Sequence, residues 1–145
     1  MIDEFKEAMI REFEMKDMGL MTYFLGLEVL QSDKGIFVSQ KRYAKTLLER
    51  FKVSNCKAIR TPVEKRLKLE KGGNGECVNP TYLKQLVGSL RYLTSTRPDI
   101  VYGVGLVSRF METPFQPHLQ AARRILRYVK GTINLGMFYS TSRKA

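Results

Sequence analysis

The chemistry-bearing residues that recur at a regular spacing in this chain are cations. Arg123, Arg127 and Lys130 follow i, i+4 and i+7 with Arg124 beside them, and no acid follows Glu112. Lys41 and Lys45 stand one helical turn apart with Arg42 next to the first. Such groups share a helix face and can neutralise neighbouring phosphates without reading bases. A solvated surface is the bland alternative, but acids scarcely interleave, which favours binding. Other chemistries find less support. Two-metal catalysis needs carboxylates that hold ions about 3.5–4 Å apart, yet Asp3, Asp17, Asp33 and Asp99 are isolated and no Asp-Asp pair occurs. The single histidine, His118, follows Pro117 at a helix start, where capping or packing outweighs catalysis. Arg97 and Asp99 flank Pro98 and read as a structural helix start, with Asp99 favouring the N-terminal dipole. Cys56 and Cys77 show neither a pairing pattern nor zinc-ligand spacing. The Gly72–Gly75 cluster lacks the Lys-Ser or Lys-Thr ending of a phosphate loop.

These residues sit in a chain of 145 with 25 Lys and Arg against 14 Asp and Glu, a formal charge of +11. A hydrophobic content of 43% excludes wholesale disorder and low-complexity classes. At this length one folded domain buries roughly two-thirds of its unfolded surface, enough to be stable without staples. Residues 1–18 carry six acids and three bases, so the basic character belongs to the body of the chain. A polyanionic partner is expected, and no membrane. The acidic start does not read as a secretory or organellar leader, which leaves an intracellular, reducing setting with the compartment unknown.

The elements that must position the cations follow from periodicity. Ile2, Phe5, Met9 and Phe13 predict an amphipathic helix over 2–16, stopped by Gly19. The run from Met21 to Leu30 and the segment Ile36–Val38, joined by the Ser32–Gly35 turn, predict a β-hairpin. Ser39 is placed to cap a helix over 40–52 that carries Tyr43, Leu47, Leu48 and Phe51 on one side. Residues 53–80 read as a long loop or linker, with only the Leu67 and Leu69 alternation to suggest order. Asn79 and Pro80 open a helix bearing Leu83, Leu86, Val87, Leu90 and Leu93. A second starts near Thr96 and Pro98 with Ile100, Val101, Val104, Val107 and Met111, where Gly103 and Gly105 permit close approach of a neighbour. A third spans about 118–130, closed by Gly131. Leu135–Tyr139 suggests a short strand whose partners need not lie in this chain.

Five strings in series now carry a resemblance. Phe13 to Gly19 (FEMKDMG), Tyr23 to Val29 (YFLGLEV), Leu86 to Leu93 (LVGSLRYL), Arg97 to Ile100 (RPDI) and Arg124 to Thr132 (RILRYVKGT) resemble the copia-type (Ty1/copia) retrotransposon reverse transcriptases. Met18, where that family usually has Leu, is a mild departure. The resemblance covers nearly the whole chain and implies the C-terminal part of the polymerase region: the end of the palm, the primer grip, the thumb and the helices after it. It implies an α+β, partial polymerase fold. Residues 1–52 would hold the palm-end helix, the primer-grip-like hairpin and the first thumb-like helix; 53–80 a linker; 81–145 a helical thumb or connection segment.

In that family the Tyr-X-Asp-Asp turn that holds the metals lies upstream of the segment resembling Phe5–Phe13, and the ribonuclease H segment begins beyond Tyr139. The resemblance therefore implies a truncated RNA-directed DNA polymerase fragment that is not an enzyme on its own and has no cofactor, the parent's Mg2+ site being absent. Tyr23, Phe24, Leu25 and Gly26 match the primer grip, where a glycine allows close approach of the nucleic-acid backbone; alternation across a strand lets only part of this set touch it. The expected partner is duplex or RNA–DNA hybrid, bound without sequence preference through these residues and Lys41, Arg42, Lys45, Arg123, Arg124, Arg127 and Lys130. Two alternatives stay open. One is a non-catalytic interaction protein that pairs apolar surface with the missing palm and fingers or with another chain. The other is an inactive retroelement remnant with no independent function.

Overall fold

The computed structural model describes residues 1–72 and 75–141. Gly73 and Asn74 of the glycine cluster, and Arg143 and Lys144 of the basic C-terminal stretch, lie outside the described residues. The described residues form five α-helices and one four-stranded antiparallel sheet: α1 (Ile2–Glu12), β1 (Tyr23–Phe24), β2 (Leu27–Ser32), β3 (Gly35–Ser39), α2 (Lys41–Arg50), α3 (Pro80–Leu93), α4 (Val101–Ser108), α5 (Gln116–Gly131) and β4 (Met137–Ser140). The architecture is α+β. A short 3-10 turn, Pro98–Ile100, leads into α4. Among the described residues no helix is long and apolar enough to cross a membrane.

Helices α2 to α5 surround one apolar core that continues on both sides of the 53–80 stretch. Leu47, Phe51 and Val53 meet Leu83, Leu86, Leu90, Val104, Ile125 and Leu126 in a single cluster of buried side chains. Burying each large aliphatic side chain contributes about 1.5–3 kcal/mol, so this cluster dominates the fold's stability. Local signals set the helix ends. The Asn79 side chain accepts from the Thr81 N–H at 2.9 Å with Pro80 in the first turn, the expected N-terminal arrangement. At the end of α2, Lys52 takes a left-handed φ of 56° and the Val53 N–H reaches back to the Leu48 carbonyl at 2.8 Å. That closure carries Val53 into the core, where it is fully buried. Gly103 has the close approach its residue type permits: a Cβ there would lie 2.9 Å from Val63 and 3.2 Å from Ile125, so the 53–72 loop packs down onto α4.

Four expectations need correcting. The Met21–Leu30 run is not one strand. Leu25 and Gly26 adopt φ of 49° and 81° between paired Phe24 and Leu27, a two-residue turn with left-handed residues at both positions. Two tandem hairpins result, the second turning through Asp33 and Lys34. Ser39 does not cap α2: it ends β3, Gln40 is the N-cap residue, and the Glu28 carboxylate of β2 accepts from the Arg42 N–H at 3.0 Å instead. Helix α1 stops at Glu12, with Phe13 extended, because Asp17 pairs with Lys6 at 3.0 Å and accepts from the Gly19 N–H, folding the following segment back. The C-terminal strand does find its partner in this chain, since β4 pairs with β3 through Ile36–Tyr139, Phe37–Phe138 and Val38–Met137.

Helix α1 buries no residue. Ile2, Phe5 and Phe13 are exposed with Met18, Leu20 and Met21 after them, and Phe5, Met9 and Ile10 share an open apolar cleft with Met15 and Met18.

Candidate nucleic-acid interface

The tight Leu25–Gly26 turn joins β1 and β2, and the side chains around it are largely exposed. Tyr23, Phe24 and Leu25 are 56%, 51% and 75% exposed. Strand pairing puts Tyr23 opposite Glu28 and Phe24 opposite Leu27, so the two rings occupy opposite sheet faces. On the Tyr23 face, the Arg42 guanidinium sits 6.0 Å from the ring centroid while its Nε is 3.4 Å from Glu28 Oε1. Arg42 thus bridges the hairpin and the first turn of α2, with its side chain still 80% exposed. Lys41 and Lys45 flank it, and neither ammonium makes a hydrogen bond or ion pair among the described residues.

The turn is braced from α3. The Tyr92 hydroxyl donates to the Leu25 carbonyl, and a Cβ at Gly26 would collide with that same hydroxyl. Tyr92 packs edge-on against Tyr43 of α2, ring centroids 4.8 Å apart, and its own carbonyl accepts from Gln40 Nε2 at 3.3 Å. Burial pushes the Tyr43 hydroxyl pKa up, and the hydroxyl donates to the Ser89 carbonyl at 3.1 Å. Gln40 is itself buried, accepting from the Thr96 hydroxyl at 2.8 Å. Sequence reasoning placed Tyr43 among apolar helix residues and gave Tyr92 no role. The signal was available: Tyr92 lies off the Leu83, Leu86, Leu90 and Leu93 stripe, so its ring has to find a partner outside the core.

The α5 cations have a different placement. Arg124 donates to Thr61 Oγ1 at 2.9 Å and pairs with Glu64 at 3.4 Å; Arg127 Nε donates to the Lys57 carbonyl at 2.8 Å; Lys130 Nζ donates to the Cys56 carbonyl at 2.5 Å. Three of the four cations therefore hold the 56–64 loop against the helix, and Arg123 alone makes no such bond. Lys57, Glu64, Arg123, Arg124 and Arg127 line an open groove of about 470 Å³ between loop and helix, with Arg124 Nε buried and unpartnered in its wall.

Arg97 and Asp99 join two core helices. Arg97 is buried and forms a two-point pair with Asp99 at 3.0 and 2.8 Å while donating to the Thr132 carbonyl and hydroxyl. Among the described residues no group of three or more His, Cys, Asp or Glu converges as a metal cage. Asp17 is committed to Lys6 and Asp99 to Arg97 and Tyr128, a donor set that does not fit a pair of divalent ions.

Comparison with known proteins defines the class. A reverse transcriptase (RNA-dependent DNA polymerase) family model matches residues 1–65, which contain the turn and α2. The chain is 42% identical over 88% of its length to the retrovirus-related Pol polyprotein from transposon RE1 of Arabidopsis thaliana, covering 9% of that protein. It is 37% identical to the Pol polyprotein from transposon TNT 1-94 of Nicotiana tabacum, covering 11% of it, and 38% identical to an uncharacterized mitochondrial protein of Arabidopsis thaliana, covering 55%. The chain thus spans about a tenth of these polyproteins and about half of the mitochondrial protein. No solved structure matches it. Along nearly its whole length the chain is similar to a copia-type reverse transcriptase-like segment of retrotransposon Pol polyproteins.

Proposed function

We propose that these residues bind primer–template nucleic acid, duplex or RNA–DNA hybrid, without sequence preference and without transferring nucleotides on their own. The observation that carries this reading is the Leu25–Gly26 turn, which presents exposed Tyr23, Phe24 and Leu25 beside Arg42, with Lys41 and Lys45, which form no ion pair among the described residues, on the same helix. Aromatic faces accept any base, and cations one turn apart suit successive phosphates, so the pair of features supports binding by shape and charge. Arg123 extends the cationic surface on α5; Arg124, Arg127 and Lys130 contribute with whatever donor capacity the loop leaves free. The absence of an Asp-Asp pair in the sequence supports the non-catalytic half of the reading.

Fluorescence anisotropy with a labelled RNA–DNA hybrid tests this. Lys41→Gln with Lys45→Gln is expected to weaken binding about tenfold near 0.1 M salt and to lower the slope of log K against log salt by about 1 to 2. An unchanged affinity and slope would remove α2 from the interface. Charge reversal at Arg123 gives a smaller loss, about one phosphate contact in the slope; no change there excludes α5.

A second reading draws on the exposed Ile2, Phe5, Phe13, Met18 and Leu20. Unpartnered apolar surface of this kind marks a protein-contact site, so these residues also support pairing with other polymerase segments or another chain. Light scattering separates the two readings: a monomer that binds hybrid favours the first.

A further inference from the structure

We infer that Tyr92 is the positioning residue of the candidate interface, fixing the Leu25–Gly26 turn and the basic face of α2 relative to one another so that aromatic and cationic groups meet one nucleic-acid strand together. The inference rests on the reading above that the turn contacts nucleic acid. Tyr92 makes three contacts, each to a different part of that surface. Its hydroxyl holds the Leu25 carbonyl at the tip of the first hairpin, 67 residues away in sequence. Its ring abuts Tyr43, in the first turn of α2 and next to Arg42 in sequence. Its carbonyl accepts from Gln40, the N-cap residue of α2.

Two features of the turn require such a brace. Leu25 occupies a left-handed conformation that costs a non-glycine residue about 1–2 kcal/mol. β1 also has only two residues and lies at the edge of the four-stranded sheet, paired with β2 alone, so it gives the turn little backbone support. The hydroxyl of Tyr92 lies where a Cβ of residue 26 would be, so glycine at 26 and tyrosine at 92 are a matched pair. Gly26 meets two demands at once, a left-handed φ of 81° that disfavours any side chain and a Tyr92 hydroxyl in the space a Cβ would take.

Tyr92→Phe removes the hydroxyl and leaves the ring in the Tyr43 contact. Tyr23→Ala, measured in parallel, reports whether the turn contacts nucleic acid at all. Expected for Tyr92→Phe is about three- to tenfold weaker hybrid binding, a fraction of one base–aromatic stack, with the salt slope unchanged and thermal unfolding shifted by no more than about 2 °C. A merely structural residue would not separate affinity from melting in this way. A second measurement uses the matched pair: Gly26→Ala should weaken binding more in the wild-type background than in Tyr92→Phe, because the phenylalanine frees the space that the new Cβ needs. If Tyr23→Ala weakens binding and Tyr92→Phe binds like wild type, the positioning role is overturned while the contact surface stands. If neither variant changes affinity, the turn is not a contact surface and both conclusions fall.

Discussion

Replacing Asp99 with alanine is expected to lower the unfolding free energy by about 3 kcal/mol, the low end of the range for removing one partner of a buried ion pair. The Arg97 side chain is 3% exposed and depends on Asp99 for its charge balance, while Asp99 itself keeps a 31% exposed edge in contact with water. With the carboxylate gone, the guanidinium keeps Thr132 but loses two charge-assisted hydrogen bonds, and the Tyr128 hydroxyl loses the acceptor it meets at 2.7 Å. Arg97 precedes α4 and Thr132 follows α5, so the cluster ties the start of one core helix to the end of another. Urea unfolding at neutral pH measures the loss; a change below about 1 kcal/mol would mean that the pair adds nothing beyond a surface bridge.

The same carboxyl gives the fold a pH dependence. Burial is the largest influence on Asp99 and raises its pKa, but the hydrogen bonds from Arg97 and Tyr128 and the Arg97 charge together outweigh it, leaving the pKa below the ordinary 3.8. The unfolded carboxyl therefore takes up its proton at a higher pH than the folded one. Its stabilising contribution is complete above pH 3.8 and is lost as pH falls through the lower folded value. Asp99→Asn, which cannot titrate, should narrow its stability gap to the wild type over that acid window and keep a constant gap from pH 5 to 7. A gap constant through the whole range would exclude Asp99 as the titrating group.

Periodicity and caps made the helical half legible. Asn79–Pro80 and the Leu83, Leu86, Val87, Leu90 and Leu93 stripe carry their own start signal and core face, and each of those leucines and the valine is buried. What escaped was set by contacts distant in sequence. Leu25–Gly26 lies inside an apolar run that reads as continuous strand, and its left-handed leucine is held by a tyrosine 67 residues away. The β4 segment pairs across almost the whole chain, so its own residues could not name its partner. For the candidate interface, helical spacing groups Arg123, Arg127 and Lys130 on one side of α5, with Arg124 beside them. Spacing defines a face without saying what covers it, and residues 53–72, which have no periodicity, supply the carbonyls, the hydroxyl and the carboxylate that occupy three of those cations.

The other end of that loop depends on His118, and His118→Ala is expected to cost about 3–4 kcal/mol. The ring is buried, stacked on Phe110 with centroids 4.3 Å apart and planes 7° from parallel. Its Nδ1 accepts from the Phe115 N–H at 2.9 Å, so the proton sits on Nε2, which donates to the Glu70 carbonyl at 2.9 Å. One neutral imidazole thus satisfies a free N–H at the start of α5 and pins the loop. Phe115, the N-cap residue, has no side-chain acceptor of its own. Alanine opens a cavity against Phe110 and leaves the Phe115 N–H without a partner, and the cavity and desolvation terms each contribute about 1–3 kcal/mol. His118→Asn restores an acceptor near the cap and should recover about 1 kcal/mol, but it cannot also reach Glu70. The two variants therefore separate the cap from the loop anchor. Urea unfolding reads the first, and limited tryptic cleavage at Lys65, Arg66, Lys68 and Lys71 reads the second. Both variants should speed cleavage at those sites, which are already on the surface, by loosening the loop backbone, while Asn regains part of the stability. Cleavage as slow as in the wild type would show that Arg124, Arg127 and Lys130 hold the loop unaided, and the groove they line with it would then be independent of His118.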